Sequence, residues 1–363
     1  MTSEFKPTRI LLAGTFLSSH VGTRAPIEDL ADRLESRGYN VIRTSSIRNG
    51  LLRGADVLTT TLRHRSRIDV AVVDLYSGRA FLWAEALGML LQSVRIPFLY
   101  SMHGGALPEF AERQPSRVRQ CLARAAAVHA PSRYLSERMK PYLDSAVILP
   151  NPLDLDQYPF RQRQHAKPNI IWVRRLHKIY NPALAPAVVS LLATEWPDVT
   201  LTMVGRDEHD GSAAETMRVA ETHGVASRIR FTGAVARSEV AALLNAADIF
   251  LNTSDIDNTP VSVMEAMARG LCVVSTDPGG VPYLVRSGRD GLLAPCGDAP
   301  ALAGHIDTVL RRPDLAHSLS ANARRTVEAS DWSAVLPAWE RLLHTVFQTR
   351  TPSRATQTVT AAS

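Results

Sequence analysis

Apolar residues follow two alternating patterns along this chain: short unbroken runs, and longer stretches with helical spacing. Residues 9–14 and 68–75 are continuous apolar runs, which is typical of parallel strands that are buried on both faces. Residues 26–38 carry apolar side chains at helical spacing and end at Gly38, a common helix stop. Because the two patterns alternate throughout, the sequence predicts an α/β fold with doubly wound parallel sheets.

The alternation begins again after a Pro- and Asp-rich segment at residues 149–160, which predicts two domains. An amphipathic helix interrupted by Pro337 is expected near the end of the chain, at residues 330–347. We expect four regions: an N-terminal domain at 1–155, a C-terminal domain at 156–330, a helix at 331–348 that packs back on the N-terminal domain, and a disordered tail at 349–363.

The composition narrows the class of protein. Of 363 residues, 45% are hydrophobic and 21% are charged, as in ordinary globular chains. The three cysteines are scattered along the chain, which argues against a disulfide framework and favours a reducing, cytoplasmic compartment. We expect no signal peptide and no membrane-spanning segment, because every apolar run is short or interrupted by charge.

Positive charge is concentrated in the first part of the chain. Residues 1–150 hold 20 basic and 13 acidic residues, whereas the remainder holds 21 and 22. Residues 43–67 carry six arginines and one acid, with leucines interleaved. Three interpretations stay open: peripheral binding to an anionic membrane, binding of a phosphate-bearing acceptor, or a solvated face. Nucleic acid is not expected, because no aromatic-basic platform or known binding motif is present.

A candidate anion site follows the strand-like run at residues 247–254. Thr259 is the predicted N-cap of a short helix, with Pro260 in its first position and Gly270 at its end. The backbone N–H groups of Val261, Ser262 and Val263 would then be free at the positive end of the helix dipole. Such a helix start binds anions, and here it would suit a diphosphate.

Two carboxylates flank this helix start, and they carry a resemblance to a known family. Asp257 and Glu265 could each accept hydrogen bonds from sugar hydroxyls. Together with residues 266–276 and 277–295, they resemble the retaining glycosyltransferases of family 4. The resemblance implies a GT-B fold, in which two Rossmann-like domains face each other across a cleft. It also implies that Glu265 holds the nucleotide ribose and that Asp257, where the family usually has Glu, contacts the donor sugar.

The resemblance extends to other strand ends in both halves. His103 follows a strand and matches the family histidine near the reacting centre, and Arg175 matches an arginine that contacts the diphosphate. Arg174 stands where the family has glycine, and Lys178 is our candidate for the family lysine if the loop is shortened. By resemblance, further contacts to the donor come from four residues in three loops: Gly22, Gly205, Gly233 and Val235.

The sequence therefore predicts a retaining, hexosyltransferase-type enzyme. It would move a sugar from a nucleoside-diphosphate sugar to an acceptor hydroxyl in polysaccharide, glycolipid or other glycoconjugate biosynthesis. We expect no metal ion or other cofactor. The alternatives are a sugar-nucleotide epimerase and a non-catalytic GT-B-like partner module. The sugar, the base, the acceptor and the oligomeric state stay open.

Overall fold

Two six-stranded sheets organise the residues that the computed structural model describes, 8–17 and 25–349. These residues form two units. The N-terminal unit comprises the described parts of Met1–Pro131, Leu135–Leu149 and Ser333–Ser363, and the C-terminal unit comprises Ser132–Tyr134 and Pro150–Trp332. Every strand pairing within the two sheets is parallel. The predicted α/β fold with two doubly wound parallel sheets is therefore confirmed.

The N-terminal unit has the strand order β2-β1-β3-β4-β5-β6. Its strands are β1 (Arg9–Ala13), β2 (Asn40–Thr44), β3 (Val70–Leu75), β4 (Phe98–Met102), β5 (Ala127–Ala130) and β6 (Val147–Ile148). Its helices are α1 (Pro26–Ser36), α2 (Gly50–His64), α3 (Arg79–Ser93), α4 (Leu107–Arg113), α5 (Pro115–Leu122) and α6 (Arg133–Met139). The chain reverses direction across the sheet between β1 and β3, so this point is the topological switch of the unit.

The C-terminal unit has the strand order β12-β11-β10-β7-β8-β9. Its strands are β7 (Asn169–Val173), β8 (Thr200–Val204), β9 (Ile229–Gly233), β10 (Ile249–Asn252), β11 (Cys272–Thr276) and β12 (Leu292–Ala294). Its helices are α7 (Leu184–Leu192), α8 (Ser212–Thr222), α9 (Arg237–Ala246), α10 (Val261–Ala268), α11 (Val281–Leu284), α12 (Ala299–Arg311) and α13 (Pro313–Glu328). The switch lies between β7 and β10.

Alternate residues of the C-terminal sheet supply two separate cores. Ile170 and Trp172 of β7 pack into a cluster on one face, whereas Ile171 packs into a cluster on the other face with Phe250 and Met264. This division follows from the two-residue period of a strand, which sends neighbouring side chains to opposite faces. Both faces are covered by helices, and the central strands β7 and β10 read as chiefly apolar runs in the sequence.

The last helix, α14 (Trp332–Gln348), differs from the prediction because it continues through Pro337. Its buried side chains recur every three or four residues and include Leu336, Trp339 and Leu343. Burying this stripe outweighs the backbone hydrogen bond that proline cannot make. Within the N-terminal unit, the Trp339 ring lies 4.5 Å from the ring of His129.

Some predictions concern residues outside the described ranges. Gly22 lies there, and so does the proposed tail apart from Thr349. In the described part of the chain, none of the helices combines the length and the apolar character that crossing a bilayer requires.

Candidate functional site

The loops after four strands of the C-terminal unit lie in close contact beside the β7–β10 switch, where open parallel sheets bind ligands. A Cβ atom on Gly205, after β8, would lie 1.6 Å from the Arg174 carbonyl oxygen. A Cβ atom on Gly280, after β11, would lie 1.7 Å from the carbonyl oxygen of Asn258. Only glycine permits these approaches. The two glycines therefore allow the loops after β8 and β11 to pack directly on the backbone of the loops after β7 and β10.

Helix α10 presents its N-terminus to this region, with two corrections to the predicted geometry. Pro260 is the N-cap and the helix begins at Val261, one residue later than predicted. The N–H of Val263 is not free, because it donates to the Pro260 carbonyl at 3.1 Å. This bond forms because the first turn tightens.

Two backbone amides and two hydroxyls remain available at this helix start. Within the described ranges, the N–H groups of Val261 and Ser262 have no hydrogen-bond partner. The hydroxyls of Thr259 and Ser262 are buried without a partner among the same residues. Gly270 ends the helix with φ of 74°, as predicted. Donors left unpaired at a helix N-terminus are suited to an anion.

Glu265, half-buried in α10, is held by two side chains that the sequence did not single out. The Tyr158 hydroxyl donates to Glu265 Oε1 at 2.7 Å. Arg237, at the start of α9, donates to the same hydroxyl at 3.0 Å. Burial and the neighbouring carboxylate raise the pKa of Tyr158 to about 12, so its proton is retained. Glu265 Oε2 has no hydrogen bond within the described part of the chain, and it can accept from a ligand.

Asp257 lies after β10 and forms an ion pair with Arg174, after β7. Both side chains are mostly buried, with 10% and 17% of their surface exposed. The Arg174 guanidinium also lies over the Tyr180 ring, 4.9 Å from its centroid. Burial raises the pKa of Asp257, while the charge of Arg174 opposes that rise. Arg174 Nε is buried without a partner among the described residues.

Arg175 and Lys178 occupy the same loop after β7 but have different surroundings. Arg175 donates to Glu208 Oε1 at 3.3 Å and to the Tyr180 hydroxyl at 3.4 Å. The backbone N–H of Lys178 donates to Asp210 at 2.8 Å, and its exposed ammonium has no acidic partner within the described ranges. The loop therefore offers one cation that is partly neutralised and one that is free.

Two of the predicted donor contacts lie at the far edge of the sheet. Gly233 ends β9 with φ of 67°, and its carbonyl accepts from the Gly205 N–H at 3.0 Å. Val235 follows Gly233 and packs, half-buried, against the cluster that contains Met264. The structure thus connects Gly233 to Gly205 through the backbone.

In the N-terminal unit, His103 belongs to a chain of hydrogen bonds at the carboxyl end of β4. Its Nε2 lies 2.9 Å from Asp74 Oδ1 and 3.0 Å from Ser101 Oγ. The Ser101 hydroxyl lies 2.8 Å from Nδ1 of His129, whose Nε2 lies 3.0 Å from the Leu149 carbonyl oxygen. The sequence did not indicate this chain of hydrogen bonds, because Asp74, Ser101 and His129 come from three separate strands.

The chemistry of these partners fixes where the protons lie. A carbonyl oxygen can only accept, so His129 Nε2 carries a proton. Burial lowers the pKa of His129 to about 3, which keeps its ring neutral and leaves Nδ1 to accept from the Ser101 hydroxyl. Ser101 Oγ and the Asp74 carboxylate then both accept from His103 Nε2–H. The His103 Nδ1 atom is therefore the one available to a substrate.

No group of three or more His, Cys, Asp or Glu side chains with the geometry of a metal site occurs within residues 8–17 and 25–349. The charged groups at the β7–β10 switch are instead Arg174, Arg175 and Lys178 with the acids Asp257 and Glu265. This set can bind a polyanion and hydroxyl groups together.

Comparison with protein families gives one match to the C-terminal unit. Residues 156–326 match the family described as glycosyl transferases group 1. Among curated proteins, the glycogen synthase of Mycobacterium tuberculosis is 27% identical over 209 residues, which cover 56% of this chain and 49% of that protein. The chain thus matches about half the length of this relative.

Solved structures show the same two-domain architecture over nearly the whole chain. Sucrose-phosphate synthase from Thermosynechococcus elongatus superposes with a TM-score of 0.77 at 17% identity, covering 94% of this chain and all of that one. Anabaena Alr3699/HepE, solved in complex with UDP and glucose, gives a TM-score of 0.70 at 18% identity over 93% of this chain and 99% of that one. The chain therefore has the GT-B fold that the resemblance implied.

Proposed function

We propose that this chain, whose residues 156–326 match the glycosyl transferases group 1 family, transfers a sugar from a nucleoside-diphosphate sugar to an acceptor hydroxyl. The product would be a polysaccharide, a glycolipid or another glycoconjugate. The observation that carries the proposal is the group of unpaired donors at the start of α10, beside the cations of the loop after β7. The family match favours a transferase over the epimerase and the non-catalytic module.

The diphosphate binds at the α10 N-terminus in this proposal. The amides of Val261 and Ser262 and the Ser262 hydroxyl donate to its oxygens, and Lys178 and Arg175 supply positive charge. Fixed cations and amides stabilise the charge that develops on the leaving diphosphate as the glycosidic bond breaks. This arrangement performs the task without a metal ion, and we propose metal-independent transfer.

Glu265 accepts hydrogen bonds from the ribose hydroxyls through Oε2, while Tyr158 and Arg237 hold its other oxygen in place. UDP is present in the solved complexes of Anabaena HepE, which supports a nucleoside diphosphate as the leaving group here. Asp257 and Arg174, at the opposite side of the helix start, contact the transferred hexose.

We propose transfer with retention of configuration by a front-face displacement. The acceptor oxygen forms a bond to C1 of the sugar while the bond from C1 to the diphosphate oxygen breaks. That oxygen leaves with the electron pair, and the proton of the acceptor hydroxyl passes to a phosphoryl oxygen of the leaving group. In the N-terminal unit, Asp74 and Ser101 hold His103 Nε2, which leaves Nδ1 to contact a substrate.

We also propose a cytoplasmic enzyme that can bind the surface of an anionic membrane. The three cysteines are unpaired, which supports a reducing compartment. Leu51 and Leu52 in the first turn of α2 are 74% and 60% exposed, and Arg48 and Arg53 lie close to them in the sequence. The charge of Arg43 is offset locally, because its guanidinium donates to Asp32 at 2.7 Å and to Glu35 at 2.6 Å.

The test is nucleotide binding by a Glu265→Ala variant. Loss of a carboxylate that accepts charged hydrogen bonds costs about 2–3 kcal/mol, so we expect UDP affinity to fall about 100-fold. Glu221→Ala, an exposed change on α8, is the matched control and should bind UDP as the parent does. Titration calorimetry measures both, and a panel of nucleoside-diphosphate sugars then identifies the donor by release of the diphosphate. Unchanged UDP affinity in Glu265→Ala would show that the site is assigned wrongly.

A further inference from the structure

A short acidic segment lies against the cationic loop of the donor site. It consists of Asp207, Glu208 and Asp210, which follow β8 in the loop that leads to α8. The loop after β7 carries Arg175 and Lys178, the two cations assigned to the diphosphate in the proposed function. An acid beside such a loop reduces the positive charge that a phosphate meets.

Backbone hydrogen bonds hold the acidic segment beside the loop after β7. The N–H of Leu176 donates to the Arg206 carbonyl at 2.9 Å, and the N–H of Glu208 donates to the Leu176 carbonyl at 3.2 Å. The N–H of Lys178 donates to Asp210 Oδ2 at 2.8 Å. Two of these three contacts join backbone atoms only, so the segment keeps its place when the side chain of Glu208 is changed.

Glu208 is the acid that meets the arginine of the proposed diphosphate site. Its Oε1 accepts from Arg206 Nε at 2.7 Å and from Arg175 Nη1 at 3.3 Å. The hydrogen bond from Arg206 and the charge of Arg175 lower the pKa of Glu208, so its carboxylate is ionised at neutral pH. The longer contact is the one to Arg175, whose side chain is 49% exposed. An exposed pair of this kind is easily exchanged for another partner.

The loop after β7 is also joined to the residues that precede α10. The N–H of Asp255 donates to the Ile179 carbonyl at 2.9 Å. The Thr253 hydroxyl donates to the Tyr180 carbonyl at 2.8 Å, and Arg175 donates to the Tyr180 hydroxyl at 3.4 Å. The same loop thus contacts both the acidic segment and the chain that leads to the unpaired donors at the start of α10.

We propose that Glu208 competes with the diphosphate for Arg175 and thereby limits the affinity of the protein for its leaving nucleoside diphosphate. The inference rests on the proposed sugar transfer. In the free protein, the Glu208 carboxylate neutralises part of the charge of Arg175. The guanidinium exchanges this carboxylate for a phosphate oxygen when the nucleotide binds. It returns to Glu208 when the nucleotide leaves, which favours release of the product, a step that often limits turnover.

The chemistry of the two partners favours exchange over a permanent ion pair. Water and dissolved ions screen an exposed pair, so the contact between Arg175 and Glu208 contributes little to stability. A diphosphate carries more negative charge than one carboxylate, and two of its oxygens can accept from one guanidinium. It therefore displaces Glu208 from Arg175, at a cost that an uncharged residue at position 208 would not impose.

The experiment measures UDP binding by a Glu208→Gln variant in titration calorimetry. Glutamine keeps the size of the side chain and can still accept from Arg206, but it is uncharged, so we expect UDP affinity to rise about fivefold. The matched control is Glu215→Gln, because Glu215 pairs with Arg218 at 2.6 Å on α8 and the same unit loses the same charge. The control should bind UDP as the parent does. At about 0.5 M salt, the gain in Glu208→Gln should largely disappear.

Two further measurements assign the gain to the phosphates and to Arg175. Uridine, which carries no phosphate, should bind Glu208→Gln and the parent equally. Arg175→Gln should lower UDP affinity about tenfold, because it removes a charged donor to the diphosphate. Adding Glu208→Gln to Arg175→Gln should then change UDP affinity by about twofold or less, because the two side chains act on the same contact.

Four results would each overturn the inference. They are equal UDP affinity of Glu208→Gln and the parent, an equal gain for uridine, an equal gain in the Arg175→Gln background, and an equal gain in the control Glu215→Gln. Failure of the proposed function looks different: UDP would not bind the parent, or would bind Glu265→Ala as well as the parent.

Discussion

The neutral state of buried His129 predicts a loss of stability in mild acid. His129 is 4% exposed, and burial lowers the pKa of its imidazole from 6.5 to about 3. In the unfolded chain the ring takes up a proton below pH 6.5, whereas in the folded protein it does not. The unfolded state therefore binds more protons, and folding stability falls as the pH falls from about 6.5 towards 3.

The size of this effect follows from the two pKa values. Each pKa unit corresponds to about 1.4 kcal/mol. Between pH 7 and pH 5 the unfolded state gains most of one proton that the folded state does not, which removes about 2 kcal/mol of unfolding free energy. This is a sizeable fraction of the stability of an ordinary domain.

A His129→Gln variant isolates the contribution. Glutamine can still accept from the Ser101 hydroxyl and donate to the Leu149 carbonyl, but it does not titrate. Urea unfolding at pH 7, 6 and 5, followed by tryptophan fluorescence, measures the free energy; Trp339 lies against His129 and reports on this unit. We expect the difference between parent and variant to shift by about 2 kcal/mol in favour of the variant from pH 7 to pH 5. His223→Gln, an exposed control, should track the parent. A difference that stays constant with pH would refute the reasoning.

Two further predictions concern the ion pair at the donor site and the exposed leucines. Arg174→Met leaves Asp257 buried without its partner and should destabilise the C-terminal unit by about 3–5 kcal/mol in urea unfolding. The double variant Arg174→Met with Asp257→Asn should recover most of that loss. Equal destabilisation by the single and double variants would contradict the pairing. Replacing Leu51 and Leu52 with serine should reduce the fraction of the protein that sediments with vesicles rich in phosphatidylserine. The control Leu191→Ser, an exposed change on α7, should leave that fraction as it is. An unaltered fraction in the Leu51 and Leu52 variant would argue against membrane binding through α2.

The sequence predicted the strands well because both sheets are parallel and covered on two faces. The run at residues 9–14 differs from β1 by one residue, and the run at 68–75 begins two residues before β3 and ends with it. The three-residue strand β12 was missed because so short a run carries no periodicity. The interruption of the last helix at Pro337 was predicted wrongly. Local helix propensity does not include the burial of the apolar stripe of α14 against residues that are distant in the sequence.

Contacts within the candidate site were harder to predict than the positions of its residues. The motif placed Glu265 in α10 and Asp257 before it, and strand ends placed His103, Gly205 and Arg175. The motif could not show that Tyr158 holds Glu265, because 107 residues separate these two residues in the sequence. Such pairs depend on strand order, and strand order was not in the pattern of apolar residues.

Arg174 and Asp257 are two positions at which the proposed donor site departs from the family that the sequence resembles. Each replaces the usual residue at its position, and each looks unfavourable alone: a buried arginine in the place of a glycine, and an acid one methylene shorter. The structure joins them in one ion pair, so the two departures compensate each other. The α10 start and Glu265 keep the arrangement expected for a diphosphate and a ribose. The difference is therefore confined to the side of the site where we propose that the sugar binds, and we expect that pair to determine which sugar is accepted.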